Sequence, residues 1–153
     1  MLNAYGLLKV VHVLSVIAWI GGVTALWMVT IELGRAGDST VVAKALPLAT
    51  RYGQRIGGPA SLLVLITGIV MVIAGRLGNP FWVKYGLVGV LLHFVFGATL
   101  IRRNWSELGR LATTSPSDDA RMATVLRRTA LTNWIYLLIM VSVIVVMVLK
   151  PTL

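Results

Sequence analysis

The sequence has no cysteine in its 153 residues, which excludes disulfides, thiolate metal sites and cysteine nucleophiles. Charge is also scarce: 12% of the residues are Asp, Glu, Lys or Arg, against about 25% in an average soluble domain. Hydrophobic residues make up 58% of the chain. This composition leaves too little polar surface to cover a water-soluble globule, so we expect the lipid bilayer to be the solvent.

The residue sets of soluble-type catalysis are missing as well. The sequence shows no Ser-His-Asp set, no paired carboxylates inside its apolar runs and no phosphate-binding loop. Its net charge of +9 at first suggests nucleic acid. However, the basic residues flank apolar runs and do not form a patch between aromatic side chains, so we predict that nucleic acid is not a partner.

Four apolar runs are long enough to cross a bilayer, which takes about 20 helical residues. They cover roughly residues 5–31, 56–74, 81–101 and 131–149. Backbone polar groups find no water in lipid, so each run is predicted to be a helix. The short connection GRLGNP makes the second and third helices antiparallel neighbours. The prediction is one all-α domain over residues 1–153, an integral membrane up-down-up-down four-helix bundle.

The distribution of basic residues predicts the orientation. The connections 32–55 and 102–130 lie on the same side and hold ten of the fourteen Lys and Arg residues. The positive-inside rule therefore predicts a multi-pass protein of the cell (inner) membrane, with both long connections cytoplasmic and both termini outside. The stretch TTSPSDD at 113–119 is predicted to be a mobile connector with a helical extension at each end.

The first predicted helix has a histidine beside a face suited to packing. His12, Ser15, Trp19 and Gly22 are three or four residues apart and therefore share one stripe. Ala18 and Gly22 add a small-xxx-small pair that lets another helix come close. We therefore expect His12 to face away from lipid.

The third predicted helix has the second histidine, set in a groove of glycines. Gly86, Gly89, His93 and Gly97 are three, four and four residues apart. Such a groove can receive a neighbouring helix or a flat ring, and the sequence leaves both open. Lys84 falls on the opposite face, nine residues before His93, and its stripe is interpreted as lipid-facing.

The two histidines suggest a cofactor between the first and third helices. At 1.5 Å per residue and with helix axes 8–10 Å apart, their Cα atoms would be on the order of 12 Å apart. A haem iron with His12 and His93 as axial ligands fits that distance. Lys9, Arg76 and Lys84, near the outer face, could neutralise its carboxylates or simply lie at the headgroups. The alternative for each histidine is a structural hydrogen bond to another helix.

These motifs resemble small four-helix membrane proteins of the HemJ and CopD-like type. The resemblance is nearest to a related group of predicted integral membrane proteins of unknown function. The matching residues are Lys9, His12, Trp19, Gly21 and Gly22 in the first helix, Arg55, Pro59 and Gly68 in the second, and Trp82, Lys84 and His93 in the third. In HemJ-type proteins the first-helix histidine and third-helix lysine are tied to haem binding and activity. The resemblance therefore implies roles for His12 and Lys84, and conflicts with a lipid-facing Lys84.

Three functions follow as alternatives. The first is a b-type haem protein with a redox role, which would pass electrons to or from a quinone or another redox partner as a haem-dependent membrane oxidoreductase. The second, implied by the CopD-like similarity, is copper handling by imidazole and thioether ligands, although no methionine in a span lies three or four residues from a histidine. The third is a non-enzymatic subunit whose small-residue stripes serve assembly, including a homo-oligomer.

Overall fold

The computed structural model describes residues 3–36, 39–78, 80–114 and 119–151. Its regular secondary structure over those ranges is helical, in four long helices that we label α1 to α4. Three of them contain a π turn. Helix α1 comprises Ala4–Val16, the π turn Ile17–Gly21 and Gly22–Arg35, and α2 comprises Ser39–Tyr52, the π turn Gly53–Gly57 and Gly58–Ala74. Helix α3 comprises Phe81–Phe96, the π turn Gly97–Ile101 and Arg102–Thr114. Helix α4 is Asp119–Leu149. Each is long and apolar enough to cross a membrane, which confirms the predicted all-α integral membrane bundle.

The helices are longer than the apolar runs from which they were predicted. Much of the connection 32–55 is helix, because α2 begins at Ser39, and α3 continues to Thr114. These extensions are amphipathic, and their apolar sides are buried together. The cluster they form is made of Trp27, Ile31, Val42, Leu46, Leu108, Leu111, Ala112, Met122, Val125, Leu126 and Ala130. Helical extensions are also present on both sides of the stretch 113–119, whereas residues 115–118, where the mobile connector was predicted, lie outside the described residues.

The bundle is built from two antiparallel helix pairs. The first half of α1 packs against the second half of α2, and the first half of α3 packs against α4. The amphipathic halves of α2 and α3, Ser39–Tyr52 and Arg102–Thr114, also pack together, which closes the bundle at its basic end. At this end Glu107 pairs with Arg128 and, at 3.8 Å, with Arg121, so that a carboxylate links α3 to α4.

A neighbouring helix fills the upper part of the glycine groove of α3. A Cβ atom added at Gly89 would overlap the side chain of Val143, and one added at Gly86 would overlap Met147. Both partners belong to α4. The missing side chains therefore let the two backbones come close, as small residues do in membrane helix pairs. Of the two occupants that the sequence left open, this part of the groove holds a helix.

The opposite face of α3 is exposed and apolar. Leu87, Val88, Leu91 and Val95 are 44–58% exposed. Lys84 is exposed on the same helix. In a bundle whose exposed side chains are mostly apolar, this face contacts lipid, and a lysine near its end can reach the headgroups along its aliphatic stem.

We predict that Gly89→Ala destabilises the protein, because the new methyl group meets the stiff Val143 side chain at the α3–α4 contact. Overpacking of this kind costs about 1–3 kcal/mol. Gly97→Ala is the matched control on the same helix, because a Cβ there has no atom within 4 Å. It should be neutral or stabilise by up to about 1 kcal/mol. Thermal unfolding in detergent measures both, and equal melting temperatures for the two variants would contradict the assigned contact.

Candidate functional site: a cavity between the helices

Three π turns in the interior of the bundle mark the candidate site. In a π turn the backbone bonds span five residues, so one extra residue is accommodated and the helix does not break. The turns of α1 and α2 contact each other, and the turn of α3 contacts α4. Residues from all three line one cavity. Single π turns in membrane and soluble helices are frequent at functional sites, so this coincidence points to the cavity.

The cavity has a volume of about 1020 Å³, and residues of all four helices line it. Small-molecule sites typically measure about 300–1,000 Å³, so one sizeable ligand would fit. Gly53 of α2 and Gly97 of α3 both line it, and a Cβ at either position would have no atom within 4 Å. The two glycines therefore leave room where side chains would otherwise narrow the space.

His93 lines this cavity and is held by two aromatic residues. Its Nδ1 atom is 2.6 Å from the hydroxyl of Tyr136 on α4. The ring of Trp19 on α1 stands edge-on to the imidazole, with 4.3 Å between ring centroids. Within the part of the chain that the structure describes, Nε2 has no hydrogen-bond partner. An imidazole fixed at one nitrogen and free at the other is suited to bind a metal or accept a proton.

His12 lies elsewhere and has another partner. Its Nδ1 atom is 2.8 Å from the hydroxyl oxygen of Thr67 on α2, and its ring packs over Gly68, 3.5 Å from the position of an added Cβ. It is not among the residues that line the cavity. Seven residues separate it from Trp19, about 10 Å along α1. The two histidines therefore do not share one cleft, in contrast to the arrangement that the sequence suggested, because α1 directs His12 onto α2 at a different level.

The other residues proposed from the sequence are scattered. Trp19 is buried and lines the cavity, whereas Gly89 is covered by α4. The ammonium group of Lys9 lies 4.8 Å from the centre of the Tyr5 ring. Arg76 is exposed in the connection after α2, with a positive φ of 49°, and Lys84 is exposed on the outer face of α3. None of these three basic residues lines the cavity.

Several lining residues were not singled out from the sequence. They are polar or aromatic and come from all four helices: Trp27, Arg51, Gln54, Arg102, Asn133 and Tyr136. A signal was available on α4, where Asn133 and Tyr136 are three residues apart and therefore share a face of an otherwise aliphatic span. No comparable signal marked the two arginines, because they sit among other basic residues at the ends of apolar runs.

The described residues include no group of three or more His, Cys, Asp or Glu side chains placed to hold a metal ion. Two of the four methionines in the spans are part of the packing, whereas Met28 is 41% exposed. Met140 is buried in the cluster that contains Trp19 and Tyr136, and Met147 fills the space above Gly86.

Comparison with known proteins gives a family and nothing more specific. Residues 6–151 match a family described as "Predicted integral membrane protein (DUF2269)". No curated protein and no solved structure matches the chain. The match agrees with the expected kinship to predicted integral membrane proteins of unknown function, and the HemJ and CopD-like features stay predictions.

We predict that Thr67→Val destabilises the protein, because it leaves Nδ1 of His12 without its partner inside the bundle. Hydrogen bonds between membrane helices contribute about 0.6 kcal/mol on average and at most about 1.7 kcal/mol. Thr99→Val is the matched control, since the Thr99 hydroxyl donates to Val95 of its own helix, as Thr67 does to Leu63. Unfolding in detergent compares the two, and an equal loss of stability would show that the His12 contact contributes nothing.

Proposed function

We propose that this chain, which belongs to the DUF2269 family of integral membrane proteins, binds haem b in the interhelical cavity and has a redox role in the membrane. The observation that carries the proposal is the state of His93. One ring nitrogen is held by Tyr136, and the other has no hydrogen-bond partner among the described residues and lies at a cavity large enough for a cofactor. Histidine ligands of metals usually donate their second N–H group to such a partner.

The residues around the cavity fit a haem with one protein ligand. To hold the iron, Nε2 of His93 would have to be unprotonated, and the proton would then be on Nδ1 and be donated to the Tyr136 oxygen. The edge of Trp19 limits rotation of the imidazole. Gly53 and Gly97 leave open space on the facing sides of α2 and α3. Because His12 is bonded to Thr67 outside the cavity, the proposal changes from two axial histidines to one.

A bound haem would supply a one-electron couple, with a quinone from the bilayer as the natural membrane-soluble partner. The residues of the chain contribute positioning. Tyr136 and Trp19 fix the imidazole, and the surrounding apolar cluster excludes water from it. Exposed apolar side chains on α2 and α3 keep the protein in contact with molecules dissolved in lipid.

A structural membrane subunit is the second candidate function, and the His12 contact favours it. Nδ1 of this histidine is bonded to the Thr67 hydroxyl, and the residue lies outside the cavity, so no ligand is needed to explain it. On this hypothesis His93 and Tyr136 form a second pair of the same kind, and the protein contributes helix faces to an assembly. Copper handling has less support, since Met140 is buried and Met147 fills the space above Gly86, so both are used in packing.

We expect protein purified in detergent, or reconstituted with haem, to show a Soret band that His93→Gly abolishes. His12→Ala is the matched control, because it removes the other intramembrane imidazole but no cavity-lining group. It should keep the band. Added imidazole should restore absorption to His93→Gly by occupying the space of the lost ring, and reductive titration of the wild type should give a reversible one-electron change.

Two results would overturn the haem proposal. One is a colourless protein that takes up no haem on reconstitution. The other is a Soret band that survives His93→Gly but is lost in His12→Ala. Full cellular function in both histidine variants would instead support the structural subunit.

A further inference from the structure

The part of the cavity toward the basic ends of the helices has two buried donors that lack acceptors. Nε1 of Trp27 and Nδ2 of Asn133 have no hydrogen-bond partner within the described ranges. Their side chains are 4% and 6% exposed, and both residues line the cavity. A buried donor left unpaired costs about 1–3 kcal/mol. Both residues line the same cavity, so a ligand with acceptor atoms can pair with these N–H groups once the side chains turn toward it.

Positive charge in the same cavity specifies the acceptor further. Arg51 of α2 and Arg102 of α3 both line the cavity and are exposed. No carboxylate of the described residues lies within ion-pair distance of either one. Glu32 pairs with Arg35, and Glu107 pairs with arginines of α4. Two cations without a carboxylate partner, next to buried N–H donors, favour an anionic group.

Most of the lining surface is apolar. Val23 of α1, Leu46 of α2 and Ile101 of α3 contribute to it, and His93 lies at one end of the lined stretch of α3. The cavity therefore combines two cationic side chains near the middle of its length with a largely apolar wall.

We propose that the cavity binds an amphipathic anion, with an acidic head between Arg51 and Arg102 and an apolar body that extends toward His93. The Asn133 amide would complete the recognition of the head. The proposal goes beyond haem binding, because it requires neither iron nor a ligand at Nε2 of His93. The shared chemistry is a carboxylate on an apolar body, and it has two sources: the propionates of a porphyrin or the headgroup of a fatty acid.

The test uses the purified full chain in nonionic detergent, with native mass spectrometry to count bound ligand. Oleate is the probe, and oleyl alcohol, which has the same chain without the charge, is the matched ligand control. We expect oleate to bind at one per chain and oleyl alcohol to bind at least about tenfold more weakly, since a hydrogen bond to a charged group is worth about 1.5–3 kcal/mol. Haem is added in a parallel arm.

Arg102→Gln should weaken oleate binding about tenfold for the same reason. Arg103→Gln is its matched control, because Arg103 is exposed on the next position of α3 and does not line the cavity. Asn133→Leu should also weaken binding, with the melting temperature measured to confirm that the variant folds. Equal affinity for oleate and oleyl alcohol, or equal losses in the Arg102 and Arg103 variants, would overturn the inference.

The arms separate this inference from the haem proposal. Oleate binding that depends on Arg102, in a protein that takes up no haem, supports the amphipathic anion and rejects the haem. Haem uptake that depends on His93, together with no preference for oleate over its alcohol, rejects the inference and leaves the haem proposal standing. Displacement of oleate by haem would support both and identify the propionates as one source of the anionic head.

Discussion

The requirement that every backbone polar group be paired inside the chain governs this protein, because hydrocarbon offers no other partner. It explains why the helices stay continuous through the level of the cavity. Each π turn accommodates an extra residue while its amides remain bonded, and the side chains that follow are rotated about the axis. Trp19, Gln54 and Gly97 lie in the three turns and line the cavity. The turns thus make room for a ligand without breaking a helix.

Close packing and open space alternate along α3 for a simple reason. Where α4 presents Val143 and Met147, the glycines of α3 let it approach and the groove is filled. Farther along, Gly97 faces no side chain, and the same residue type leaves a void beside His93. A glycine stripe therefore limits how closely an adjacent helix can approach. Whether the space is filled by packing or stays open depends on the side chains of that adjacent helix.

The two histidines show how a partner decides the role of an ionisable residue. Both occur in apolar helices on stripes of small residues, and both have Nδ1 bonded to a hydroxyl group of another helix. They differ in what surrounds the ring. His12 packs over Gly68 outside the cavity, whereas His93 stands at its wall with Nε2 free of partners among the described residues. The first is suited to hold two helices together, and the second to meet a ligand.

The sequence alone determined the membrane class, the number of crossings and the antiparallel order, through its apolar runs and the distribution of lysine and arginine. The reason is that the free energy of moving a side chain into lipid depends on the residue type and not on its tertiary neighbours. Periodicity also placed Trp19 and His93 on interior faces. It missed Tyr136 as the partner of His93 and Arg102 as a lining residue of the cavity, and it put His12 in the same cleft as His93. Only tertiary packing decided those points. The π turns rotate the helix faces, and the relative height of two helices in the bundle depends on the side chains of both. Neither effect can be read from one apolar run alone.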